Sequence, residues 1–118
     1  MEFKRKQIRP GVVVLEMTGS IRIGPNCQQI EQQVDEIIRQ NEKWVIFDLS
    51  GVTFVDSAGI GTIVRSLTRL KELGGTLRLT GVKGMVEGVL KITRITSIIE
   101  VYPTAADASQ DLPPVSNP

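Results

Sequence analysis

Histidine is missing from this 118-residue chain, and cysteine occurs once, at Cys27. Without histidine there is no Ser-His-Asp or Cys-His pair to activate a nucleophile. The commonest ligand of a catalytic zinc is missing as well. A single cysteine excludes an internal disulfide and fits a reducing compartment. No apolar run approaches the roughly 20 residues that cross a bilayer. The basic start, Met1 to Lys6, leads into no long apolar segment, so neither a membrane span nor a secretory signal is expected, and the expected address is the cytoplasm. Charge of one sign is also lacking: the formal net charge is +1, which argues against a nucleic-acid binder. A glycine-rich phosphate loop ending in lysine is absent too, which weakens a nucleotide-binding or ATP-hydrolysing reading.

What is present suits one globular domain. Hydrophobic residues make up 41% and charged residues 23%, enough for a single core at this length. Phe3 to Ile8 reads as an edge strand whose Lys4-Arg5-Lys6 discourages pairing with other chains. Pro10-Gly11 marks a turn, Val12 to Met17 reads as a buried strand antiparallel to the first, and Thr18-Gly19-Ser20 is expected to break it. A helix opens at Gly24-Pro25-Asn26, through Pro25 at its first turn or Asn26 as its cap, with Ile30, Val34, Ile37 and Ile38 on one face. Val45 to Leu49 is the central strand, followed by an expected turn at Ser50-Gly51 and a second short apolar piece. The next helix runs to Lys71 with Ile60, Ile63, Val64, Leu67 and Leu70 inward, and Gly74-Gly75 ends it. Thr76 to Val82 is a strand, 84–92 a short helix using Met85, Val86, Val89 and Leu90, and Ser97 to Tyr102 the last strand. Thr104 with Asp107 reads as the cap pair of a terminal helix.

The order β-β-α-β-α-β-α-β-α predicts an α/β fold: a single small domain with a mixed, mostly parallel sheet, an antiparallel edge strand, and helices packed on it. The domain is expected over residues 1–109, with 110–118 as a flexible C-terminal tail.

The central strand delivers Asp56-Ser57 to a helix start, where unpaired N–H groups and the helix dipole favour negative charge. Ser57 reads as an N-cap, a role compatible with modification of its hydroxyl. Gly59 and Gly61 each cost about 1 kcal/mol against alanine inside a helix. Close packing on the sheet and close approach by another molecule explain them equally well. Thr62, Arg65, Ser66 and Arg69 form a polar helix face, either solvated or in contact with an acidic surface. Cys27 near the first helix start reads as an inert, partly buried thiol.

The motif Phe54-Val55-Asp56-Ser57-Ala58-Gly59-Ile60-Gly61 and the element order resemble the STAS domain family, specifically bacterial anti-sigma factor antagonists, from about Phe3 to Ala108. The resemblance implies a partner switch. In that family the unmodified antagonist binds an anti-sigma factor and so releases a sigma factor. The anti-sigma factor is also an ATP-dependent serine kinase that phosphorylates the motif serine, here Ser57, and a serine phosphatase reverses the step. ATP and magnesium belong to the kinase, so no cofactor or metal of this chain's own is implied, nor any nucleic-acid or membrane partner. The implied partner surface comprises Asp56, Ser57, Ala58, Gly59, Ile60, Gly61, Thr62, Arg65 and Arg22. Asp56 could orient the serine or a metal in the kinase site, or simply cap the helix. Two positions depart from the family pattern. Arg22 stands where an acidic residue is usual, and an arginine would attract a phosphoserine rather than repel it. Arg94 stands where glycine is common. A STAS scaffold, or a subunit of a non-sigma signalling or lipid-transport complex, is the alternative function, and nothing in the pattern sets an oligomeric state.

Overall fold

The computed structural model describes residues 1–112. β1 (Glu2–Arg9) and β2 (Val12–Ile21) form the antiparallel hairpin expected across Pro10-Gly11. β3 (Trp44–Val55), β4 (Thr76–Thr80) and β5 (Val101–Tyr102) extend it in the order β1-β2-β3-β4-β5, each pairing after the first being parallel. α1 (Pro25–Arg39), α2 (Ser57–Glu72) and α3 (Gly84–Ile92) contribute to one large core, and α4 (Ala105–Ser109) to a smaller one. The alternation of side chains along a strand sorts the residues between them. Leu15, Met17, Phe47, Leu49, Leu77 and Leu79 join the large core, whereas Val12, Val14 and Ile46 meet Ala108 and Leu112 on the other side of the sheet. Among the described residues no helix is long and apolar enough to cross a membrane.

Several expected boundaries move. β2 continues through Thr18-Gly19-Ser20 to Ile21, and β3 continues through Ser50-Gly51. Instead of a turn, β3 takes up an extra residue where Glu16 faces Asp48 but Thr18 faces Gly51. Gly51 belongs there because a Cβ would lie 2.8 Å from the Met17 carbonyl oxygen on β2. Pro25 is the first-turn residue of α1, but Asn26 is not its cap; its amide donates to the Ser20 carbonyl instead. α2 ends as expected, with Gly74 at φ +83° and the N–H groups of Gly74 and Gly75 donating to Lys71 and Leu70. In α3, Val86 and Leu90 are buried while Met85 is exposed.

The last strand is a two-residue stub rather than Ser97 to Tyr102. Ile95–Ser97 forms a 3-10 turn, entered through Arg94 at φ +60°. Ile99 donates its N–H to the Ile95 carbonyl, so both isoleucines face the core one turn apart and Ile98 points out. A left-handed residue at 94 also accounts for the glycine usual there. Thr104 caps α4 through the Asp107 N–H as expected.

Residues 110–112 of the expected tail are held in place. Leu112 is buried among Val12, Val14 and Ile46. Arg9 donates to the carbonyls of Ser109 and Leu112, and Arg78, itself buried, pairs with Asp111 and donates to the Ala108 carbonyl. Residues 113–118 lie outside the described residues.

Candidate functional site at the start of the second helix

The site is assembled where β2 and β3 end side by side. Ile21 faces Val55 in register, and the Asp56 N–H donates to the Ile21 carbonyl at 3.2 Å. Asp56, in extended conformation, is the N-cap of α2. Its Oδ1 accepts from the Gly59 N–H at 2.8 Å and its Oδ2 from the Ile23 N–H at 2.9 Å. These backbone donors, Ile23 foremost and then Gly59, hold its carboxyl below the usual carboxylate range, helped by the Ala58 N–H and the charge of Arg22. One carboxylate therefore starts the helix and ties the loop before α1 to it.

The cap is thus Asp56, the simpler of the two roles expected of it, and Ser57 is the first helical residue, a correction to the capping role expected of Ser57. Ser57 is exposed, and among the described residues its hydroxyl has no hydrogen-bond partner. The side chain next to the cap is left idle because the cap does its work.

The two glycines divide the explanations offered for them. A Cβ on Gly59 would sit 2.6 Å from the Ile21 carbonyl oxygen and 2.8 Å from Val55 Cγ2, so Gly59 is there for packing on the sheet. A Cβ on Gly61 would meet only the end of the Arg65 side chain, at 3.2 Å, so packing does not demand this glycine. Ile60 is buried in the core and Ala58 is half-buried.

The expected polar face splits as well. Thr62 and Ser66 are buried, each donating its hydroxyl to the carbonyl four residues back, Ala58 and Thr62 respectively. Their small side chains sit on the side of α2 whose arginines reach α1, where Arg65 pairs with Glu31 at 3.1 Å and Arg69 with Asp35. The arginines stay largely in solvent but are committed to these partners.

In front of Ser57 lies an open groove of about 460 Å³, walled by Gly24, Cys27 and Gln28 on one side and by Ala58 and Gly61 on the other. Ile23, 77% exposed, stands on its rim. Ile23 escaped the reading of the sequence; the available signal was a large apolar residue between Arg22 and Gly24 that fits neither strand nor helix periodicity. Arg22 is exposed, its guanidinium 4.3 Å from the centre of the Phe54 ring. Cys27 is buried and its thiol donates to the Arg22 carbonyl, consistent with an inert role. Among the described residues no three His, Cys, Asp or Glu side chains gather to hold a metal ion. The site thus presents an exposed, unengaged hydroxyl beside a rim that carries the exposed apolar side chain of Ile23.

The model of the STAS domain matches residues 4–108, and the chain belongs to this family. A protein of Thermotoga neapolitana described as a candidate anti-sigma factor antagonist is 31% identical over 78 residues, covering 66% of this chain and 69% of its own. The crystal structure of a candidate anti-sigma factor antagonist from Thermotoga maritima superimposes with a TM-score of 0.84 at 29% identity, covering 93% of both chains. The anti-sigma factor antagonist SpoIIAA in its unphosphorylated form shares the fold, with a TM-score of 0.70 at 17% identity over 93% of this chain and 96% of that one. SpoIIAA of Bacillus in its phosphorylated form does so with a TM-score of 0.71 at 18% identity, over 95% and 100%.

Proposed function

We propose that this chain is a cytoplasmic anti-sigma factor antagonist that works as a partner switch. The unmodified form docks an anti-sigma factor that is also a serine kinase; phosphorylation of Ser57 from the kinase's ATP undocks it, and a serine phosphatase restores it. The observation that carries this reading is the hydroxyl of Ser57, exposed and unengaged next to a carboxylate that already caps the helix. Ser57, Ala58, Gly61, Ile23 and Arg22 offer the docking surface, with Asp56, Gly59, Ile60 and Thr62 holding it in shape and Arg65 at its margin. The kinase supplies ATP and metal, and the antagonist contributes only the acceptor hydroxyl.

The magnitudes favour a switch that leaves the fold alone. A phosphate adds about 1.5–2 negative charges at pH 7. The dipole of α2 returns about 0.3–1 kcal/mol, and Asp56 next door opposes it, so the monomer changes little. An unpaired charge buried in a docked interface costs about 2–5 kcal/mol, or roughly 30- to several-thousand-fold in affinity. The test is a pull-down from native lysate with wild type, Ser57→Ala and Ser57→Asp, with mass measurement of the recovered antagonist. Wild type and Ser57→Ala should retain the anti-sigma factor, Ser57→Asp should lose it, and a phosphate should map to Ser57 in wild type only. Equal retention by Ser57→Asp, at an unchanged melting temperature, would refute the switch.

A further inference from the structure

We infer that Arg22 is this chain's own receptor for the phosphate on Ser57, leaving its seat on Phe54 to pair with the dianion. The inference rests on the reading of Ser57 as the modified residue and adds how the modified state is held. A phosphate on Ser57 finds the Gly59 N–H of the helix start already taken by one oxygen of Asp56, and the nearby Ile23 N–H by the other. The neighbouring Asp56 carboxylate also repels it. The other charged groups beside the groove are Glu31 from α1 and Arg65 from α2. Arg65 is bound to Glu31 through both Nε and Nη2, at 3.3 and 3.1 Å, and to the Thr62 hydroxyl. Among the described residues the Arg22 guanidinium, by contrast, makes no ion pair and lies over the ring of Phe54.

Position and chemistry agree. The segment that carries Arg22 is pinned beside Ser57 from both sides, by the Asp56 N–H on the Ile21 carbonyl and the Ile23 N–H on Asp56. Arg22 already acts on Asp56 through its charge. An exposed cation–π contact is weak, whereas the guanidinium fork fits phosphate with two charge-assisted hydrogen bonds. Exchanging one for the other is therefore favourable. In the unmodified protein the cation stands on the docking surface, and in the modified protein it is withdrawn onto the phosphate. Modification thus changes two charges seen by a partner rather than one.

The test uses the full chain with phosphoserine incorporated at position 57 during translation, so that no kinase is needed, as wild type and as Arg22→Gln, at low ionic strength. Phosphorus-31 NMR follows the second ionisation of the phosphate. A paired guanidinium favours the dianion, so wild type should titrate lower than Arg22→Gln by about half a pH unit, roughly a threefold change in proton affinity. Arg22→Lys, which keeps the charge but not the fork, should fall between. Superimposable titrations of wild type and Arg22→Gln would overturn the assignment. Loss of the switch itself would show differently, as the phosphorylated chain still binding the anti-sigma factor whatever the titration reads.

Discussion

Alanine at Gly59 and alanine at Gly61 should change stability in opposite directions, although the glycines are two residues apart in one helix. At Gly59 the new methyl would lie 2.6 Å from the Ile21 carbonyl oxygen, 2.7 Å from Ile21 Cγ2 and 2.8 Å from Val55 Cγ2. Two of these neighbours are packed side chains and the third is backbone that also accepts from Asp56, so none can yield cheaply. Overpacking costs about 1–3 kcal/mol, and three contacts under 3.0 Å place this case at the upper end, about 2–3 kcal/mol. Removing a helical glycine recovers up to about 1 kcal/mol, leaving Gly59→Ala destabilised by about 1–2 kcal/mol. At Gly61 the only close neighbour among the described residues is Nη1 at the exposed end of Arg65, an atom free of the Glu31 pairing that can give by a few tenths of an ångström, so the recovery dominates and Gly61→Ala should be more stable by about 0.5–1 kcal/mol. For a domain of this size these values correspond to a melting temperature lower by about 3–12 °C and higher by about 2–6 °C, respectively. Thermal unfolding followed by circular dichroism, with urea titration as a second measure, reads both. Gly59→Ala as stable as wild type would mean that the start of α2 is not seated on the end of β2, and the geometry of the site would have to be redrawn. The same pair separates packing from docking: Gly61→Ala, well folded, should bind the anti-sigma factor less tightly because its methyl stands in the groove.

Asp56→Ala should cost about 0.5–2 kcal/mol through loss of the cap, measured by urea unfolding at pH 7. Because the folded state depresses the Asp56 pKa, its contribution is present above the unfolded carboxylate value of about 3.9 and is lost as pH falls through the folded value; Asp56→Asn should flatten that acid limb of a stability–pH profile. Glu42 carries the opposite sign: burial, only partly offset by the Gln7 hydrogen bond, raises its pKa. Its protonated form favours the fold, and that stability is lost as pH rises from about 4.3 through the folded value, so Glu42→Gln should raise the melting temperature at pH 7 but not at pH 3. Leu112→Ala should cost about 2–3 kcal/mol by opening the small core against Val12, Val14 and Ile46, and an unchanged melting temperature would show that the C-terminal segment does not pack there.

The α/β order and most of the core were readable because helices and buried strands write different periods into the chain. Ile30, Val34 and Ile37 recur at helical spacing, and Val12 to Leu15 form an uninterrupted β-branched and apolar run. Misreadings arose where one residue type serves two purposes. Ser50-Gly51 carries turn chemistry, yet the glycine answers a close approach of β2 inside a bulged strand. Ile98-Ile99 carries strand propensity, yet Arg94 in the left-handed region sets up a helical turn that buries Ile95 and Ile99 together. Leu112 lies beyond the last periodic segment, and only the distant arginines Arg9 and Arg78 reveal that it is tied down. At the site the motif marked the start of α2, but the division of its residues between inward and outward depended on α1: a threonine and a serine look solvated until another helix is set against them.

The exchange of roles between Asp56 and Ser57 bears directly on whether a switch can operate here. Had Ser57 been the cap, esterifying its hydroxyl would have disturbed the first turn, and modification would have been felt by the fold as well as by a partner. With Asp56 holding Gly59 and Ile23, the first turn and the adjoining loop are secured by a group that a serine kinase does not touch. Ser57 then lies one residue inside the helix with no structural task, and Gly61 lies one turn further along the groove with no packing task. A surface built from residues whose side chains the fold does not need can change its charge without changing its shape. On the proposed switch the cost of a phosphate would fall on the docked complex rather than on the monomer, and Ser57→Asp should separate binding from stability, whereas Asp56→Ala should lower both.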